Sequence, residues 1–293
     1  MTPEPDWTRL LQWDQPLQEQ PPADLTDEPR HSFPPATLVV GACGGSGSTV
    51  TALGLANALA LSRKRVVVVD AAPGGGDLVD RGATTVSPED GVERLLADLR
   101  TGVPVSPSLF AECSSETSVG ATILHKAGDD LDDPDLEPLD DYLRARERPT
   151  VYDAGRMWRP SHARPLWWLL DDTPIVLTVP SRADAFNRMR YSLELLSNFR
   201  EMNRLGSTLV VVSHQRPGVR LDDVAVLRNF LRGRVAGVHT VPYDEELALG
   251  TVVDHPSMRP ETIAAYDELA TAIADLAHRS AVRRAARAEH HQP

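Results

Sequence analysis

LVVGACGGSGSTVTALGLANALA, Leu38 to Ala60, is the most informative segment of the chain. It opens as a short apolar run, breaks into a loop carrying Gly41, Gly44, Gly45 and Gly47, and resumes as an apolar run of helical length. A buried strand that enters a helix through a glycine-rich loop makes a cradle for phosphate. Glycines let the backbone approach closely, N–H groups converge, and the helix N-terminus favours an anion. The usual loop of this kind reads G-x-x-x-x-G-K-[ST]. Here Thr49 stands where a magnesium-binding hydroxyl belongs, and Ser48 occupies the lysine position.

Beyond this segment, short β-branched runs alternate with longer amphipathic ones. The predicted strands are Leu38–Val40, Val66–Val69, Ala121–Leu124, Val151–Tyr152, Ile175–Val179, Leu209–Val212 and Val235–Val238. They are continuous apolar runs, as expected of parallel strands covered on both faces. Ser87-Pro-Glu-Asp90 reads as a helix start with proline in its first turn, and Gly102 as its stop. A longer helix is expected to begin at Ser181 or Asp184, run to Leu205 and stop at Gly206. Repeated strand–helix–strand units imply an α/β domain with one mostly parallel twisted sheet and helices on both faces.

The composition narrows the function classes. No apolar stretch approaches the roughly 20 residues of a membrane-spanning helix. Two cysteines, Cys43 and Cys113, exclude a disulfide framework or a zinc cluster, so a cytoplasmic setting is expected. A formal net charge of -12 opposes a DNA-coating surface, because such binding rests on lysine and arginine meeting phosphates. A local basic segment stands at the C-terminus, with Arg279, Arg283, Arg284 and Arg287 at near-helical spacing. The acidic run GDDLDDPDLEPLDD, residues 128–141, lacks the ordered ligand spacing of a calcium loop and reads as a solvated loop.

Three parts are expected: a Pro-rich acidic leader over 1–35, a domain over 36–277 and a basic flexible tail over 278–293. In the leader, Trp7, Leu10, Leu11 and Trp13 form an apolar cluster. It reads equally as a docking motif for a protein partner or as a segment packed on its own domain. Ile263, Tyr266, Leu269, Ile273 and Leu276 line one stripe of the last helix, which is expected to pack on the core. The apolar residues after it are too few for a strong membrane anchor, leaving weak peripheral attraction to an anionic surface as the minor alternative.

The landmarks resemble, in order, the ParA/MinD class of P-loop ATPases from about Thr37 to Leu276. The loop resembles that family's KGGxGK[TS] form. In RVVVVDAAPGGGDL, Asp70 matches the first residue of its Asp-x-Asp segment, and PTVYDAG supplies Asp153 at the strand end near magnesium. TPIVLTVPSRADAFNRMRYSLELL, STLVVVSHQRPG and VAGVHTVPYDEELALG resemble the later strands. The resemblance implies ATP and Mg2+ as cofactors. Gly44, Gly45, Ser46, Gly47, Ser48 and Thr49 would then lie around phosphate, Ser213 and His214 on the base side, and Thr49 and Asp153 on the metal.

The departures matter as much. The family's two loop lysines are replaced by Cys43 and Ser48, and its second aspartate by Ala72. What remains for chemistry is Asp70 and Asp153. A degenerate site of this kind implies slow or absent hydrolysis, with nucleotide binding weak or lost. The GGSGST loop resembles that of TadZ/CpaE-type and septum-site-determining proteins, implying a positioning or assembly scaffold. An active partition or division-site ATPase, using Arg156 or Arg159 in place of a lysine, stays open as an alternative. So does a nucleotide-independent interaction module. Any homodimer is expected to form without ATP. Cys43 reads as a space-filling residue, and His125, His214 and His239 as strand-end polar residues.

Overall fold

A computed structural model describes residues 33–289 except 63, 74, 88–90, 127–134, 157–165, 167–168, 170–172, 199–204 and 219–220. The Trp7–Trp13 cluster, Arg159, and the start of the helix expected after Ser87 therefore lie outside the described residues.

Eight strands form one sheet in the order β3-β4-β2-β5-β1-β6-β7-β8. They are β1 (Ala36–Gly41), β2 (Val67–Asp70), β3 (Ser115–Glu116), β4 (Thr122–Leu124), β5 (Thr150–Asp153), β6 (Ile175–Pro180), β7 (Thr208–Ser213) and β8 (Gly237–Val241). All neighbours pair in parallel except β3, which runs antiparallel to β4. The expected α/β fold with a mostly parallel sheet is present. The last strand begins two residues later than Val235–Val238 and ends at Val241. The ladder with β7 runs from Gly237 to Val241, so the partner strand sets the limits and the apolar run does not. β3 is too short to leave a periodic signal.

Side chains along each strand alternate between two cores. Leu38, Val40, Val67, Val69, Ile175, Leu177, Val210 and Val212 share one, and Val39, Val68, Val176, Leu209 and Val211 share the other. Covering both faces removes any pressure for polar alternation. The first core is closed by α3 (Gly91–Thr101), α4 (Pro107–Glu112), α5 (Glu137–Arg144), α6 (Ala183–Asn198) and α7 (Leu221–Leu231). The second is closed by α1 (Ser48–Leu61), α2 (Leu78–Gly82) and α9 (Pro260–Glu289), while α8 (Glu245–Ala248) lies between β8 and α9 in the chain. The apolar stripe expected on the last helix is confirmed, since Tyr266, Leu269, Ile273 and Leu276 are buried in this second core.

Two expected boundaries move. Phe33 is buried in the second core and the Pro35 carbonyl accepts from Thr150 N–H at 2.9 Å, so the domain begins before residue 36. At the other end α9 continues past 277 to Glu289, so residues 278–289 are helical and not a flexible tail. Gly102, at φ 74, ends α3 as expected, a left-handed position that suits glycine. Described residues of α6 end at Asn198, short of the expected stop at Gly206. No helix among the described residues is long and apolar enough to cross a membrane.

Candidate functional site

β1 delivers the chain into the glycine loop at the C-terminal end of the parallel sheet, the end where open α/β sheets hold ligands. The loop turns through left-handed Gly45 (φ 67) and Gly47 (φ 84), conformations that a side chain would strain. Helix α1 then starts at Ser48 with Gly47 as its cap. A 14-residue helix presents first-turn N–H groups without intrahelical partners, facing whatever enters the loop. A cleft of about 610 Å³ opens there. The glycine loop forms one wall, Ala72, Pro73, Gly75, Gly76, Asp77 and Arg81 the other, and Gly155, Arg156, Gln215 and Gly250 complete it.

Within the loop the residues have different roles. Gly44 and Gly45 are exposed, and Gly47, Ser48 and Thr49 are half-buried on the cleft. Ser46 is turned inward: its N–H donates to the Cys43 carbonyl at 3.2 Å and its hydroxyl pairs with Thr178 Oγ1 at 3.0 Å. Its side chain braces the loop on β6. Cys43 is 2% exposed and packs in the first core, as a space-filling residue should.

Beneath the loop lie two carboxylates, and a third, Asp77, faces it across the cleft. Asp70 and Asp153 end adjacent strands β2 and β5 in register. Asp70 spends both oxygens on the backbone, accepting from Ala72 N at 3.0 Å and Gly76 N at 2.8 Å, and so pins the loop that carries Asp77. Burial raises its pKa, partly countered by those two N–H donors and by the Lys126 charge. Asp70 is therefore a bracing residue, not a free group for chemistry.

Asp153 differs. It is fully buried, its Oδ1 accepts from Gly155 N at 3.0 Å, and Oδ2 has no partner. Burial raises its pKa to about 7; the nearby Thr49 hydroxyl opposes the rise and the Asp70 charge adds to it. The Thr49 hydroxyl donates to Asp77 Oδ1 at 2.8 Å, which leaves Asp153 Oδ2 without a donor. An orphaned carboxylate oxygen beside a threonine hydroxyl and a second carboxylate is an all-oxygen donor set that fits a hard divalent cation. No group of three or more His, Cys, Asp or Glu among the described residues is arranged as a metal cage. Mg2+ needs none, because it is commonly held by one or two carboxylates with water and phosphate oxygens.

Asp77 was missed in the sequence, although it stands in the quoted segment RVVVVDAAPGGGDL. Only the folding of that loop over Asp70 brings it to Thr49. On the base side, Ser213 abuts the loop: a Cβ on Gly47 would lie 3.3 Å from its Oγ. The His214 backbone N–H donates to the Val241 carbonyl at 3.0 Å, and burial lowers the pKa of its ring. Neither residue lines the cleft. Gln215 does, and its side-chain amide donates to the Gly45 carbonyl. Among the described residues two cationic side chains line the cleft, Arg81 and Arg156, and no lysine does.

Comparison with known proteins follows the same outline. Residues 37–253 match the family model described as the CobQ/CobB/MinD/ParA nucleotide binding domain. A ParA family ATPase from Chlorobium tepidum TLS is similar in structure, with a TM-score of 0.61 at 16% identity, covering 80% of this chain and 96% of that one. The cell division ATPase MinD of Pyrococcus furiosus gives 0.60 at 16% identity, with coverages of 82% and 98%. Cobyrinic acid a,c-diamide synthase from Mycobacterium smegmatis, with bound ADP and magnesium, gives 0.51 at 18%, with coverages of 80% and 91%. At such identities the likeness is one of fold. No curated protein matches the sequence.

Proposed function

The chain belongs to the CobQ/CobB/MinD/ParA nucleotide-binding domain family, and from that premise we propose that it is a ParA/MinD-like positioning or assembly scaffold that binds nucleotide weakly and hydrolyses it slowly or not at all. The observation that carries this is the state of the loop. Its backbone has the left-handed glycine turn and the helix N-terminus, yet Ser48 and Cys43 in the loop, with Ala72 after β2, stand at the three positions where the family places charge. Phosphoryl transfer depends on positioning and on electrostatic stabilisation of spread negative charge. Loss of a single well-placed donor costs on the order of 10²–10³ in rate.

The residual binding machinery supports nucleotide contact without turnover. N–H groups of the first turn of α1 would face phosphate, and Thr49 with Asp153 and Asp77 would hold Mg2+. When bound, that ion would neutralise phosphate charge that Ser48 cannot. Gln215, braced on Gly45, limits the cleft on the base side. The GGSGST loop favours the branch of pilus-assembly localisation and septum-site-determining proteins over active partition ATPases.

A second possibility, a working ATPase, draws on Arg156, which lines the cleft next to Gly155. Calorimetry with ATP, with and without Mg2+, combined with a phosphate-release assay, separates the two. Magnesium-dependent binding with phosphate release equal to buffer is the expected result. Release that disappears in Asp153→Ala would establish the working ATPase instead. No binding at millimolar ATP would reduce the loop to a remnant.

A further inference from the structure

Arg81 lies at the end of α2, on the cleft wall opposite the glycine loop, and is 8% exposed. Among the described residues its guanidinium is held by one hydrogen bond. Nη2 donates to the Leu247 carbonyl at 3.0 Å, across 166 residues of chain, while Nη1 is buried with no hydrogen-bond partner. Nη1 lies beside Gly250, another cleft residue, where an added Cβ would come within 3.6 Å of it. The mount is firm, because the Arg81 carbonyl accepts from Val253 N at 2.8 Å and its N–H donates to the Asp77 carbonyl at 2.9 Å. A permanently charged group kept out of water with an unmet donor is costly unless an anion completes it.

The surroundings make the need mutual. Asp77 lines the cleft and Asp70 and Asp153 lie beneath the loop, while the lysine that would offset an entering phosphate is Ser48. We propose that Arg81 is the phosphate-binding cation of this cleft, supplying from the α2 wall the charge that the glycine loop lacks. The ligand class is a polyphosphate, either a nucleotide's or free. The proposal deepens the nucleotide-binding function above and rests on it for the nucleotide, but not for the anion.

The test titrates inorganic pyrophosphate and ATP into the full chain by calorimetry. It compares wild type, Arg81→Gln, and Arg232→Gln, an exposed arginine just after α7 that controls for net charge. Charge-assisted contacts of this kind correspond to roughly 10-fold to 100-fold in affinity. The expected result is that both ligands bind, with Arg81→Gln weaker by at least that lower factor and Arg232→Gln unchanged. ATP binding equal in wild type and Arg81→Gln overturns the role of Arg81 and leaves the nucleotide function standing. Arg81-dependent pyrophosphate binding without ATP binding supports Arg81 and overturns the nucleotide function. No binding of either overturns both. Should Arg81→Gln fail to fold, the wild-type Arg81 Nε–H resonance, assigned by its loss in Arg81→Lys, must shift on adding pyrophosphate; an unmoved resonance overturns the proposal.

Discussion

Ser48 and Asp153 carry the two sharpest consequences for single side chains. At Ser48 a neutral hydroxyl stands at the mouth of α1, on the cleft. Ser48→Lys is expected to tighten ATP binding by about tenfold or more, the worth of one charge-assisted contact; calorimetry on the variant checks this, and an unchanged affinity would mean that phosphate does not sit in the loop. Asp153 has the reverse difficulty, a buried carboxyl with a proton to lose. Its pKa rises from 3.8 to about 7 on folding, chiefly through burial. The folded chain therefore holds a proton that the unfolded chain has released between those values. This group's contribution to stability falls as pH rises through that window and is least favourable above it. Asp153→Asn removes the titration, so its gain in melting temperature over wild type should be present near about pH 8 and shrink toward zero near about pH 4. Thermal melts at both values decide it.

The packing of α1 against α9 depends on Gly54. A Cβ there would lie 2.4 to 2.6 Å from three ring atoms of Tyr266, which is itself buried. The missing side chain is what lets the last helix settle on the first. Gly54→Ala should destabilise the protein by about 1–3 kcal/mol, the usual cost of overpacking. Denaturant melts of Gly54→Ala, Tyr266→Leu and the double variant would show a partial rescue in the double, because the clash and the ring share one site. On the opposite face, α5 is tied to the sheet by a buried polar group: Tyr152 OH donates to Asp140 Oδ1 at 2.8 Å, and Arg144 pairs with the same carboxylate. Burial, followed by the Asp140 charge, holds the Tyr152 hydroxyl well above its usual pKa, so it remains a donor.

Across the molecule, one sheet with two cores places every strand end that matters on the same rim. β1, β2 and β5 contribute the loop, Asp70 and Asp153 there, and β7 brings Gln215. The outer limit of this body is tested by truncation. Of two truncations, one that ends at residue 32 and one that also removes Phe33, the second should be less stable by about 1.5–3 kcal/mol, the value of one buried aromatic side chain. Equal melts for the two truncations would show that Phe33 adds nothing to the second core.

Much of the architecture was legible because its causes are local. Continuous apolar runs mark strands covered on both faces, the glycines of the loop mark a close-approaching turn into a helix, Gly102 marks a helix end, and the Ile263–Leu276 stripe marks a packed helix. The absence of charge at Ser48 and Cys43 in the loop, and at Ala72 after β2, was equally plain, since it needs only the positions of the motifs that the family resemblance aligns. The polar partners were not legible. Thr49 meets Asp77 across 28 residues, Arg81 meets the Leu247 carbonyl across 166, and Gln215 meets the Gly45 carbonyl across 170. Nor did the chain reveal that Ser46 and Asp70 are braces while Asp153 Oδ2 is left open. Propensity and periodicity act over one or two turns of chain. Which donor reaches which acceptor depends on how distant segments cross the rim of a closed sheet, and tertiary packing alone sets that.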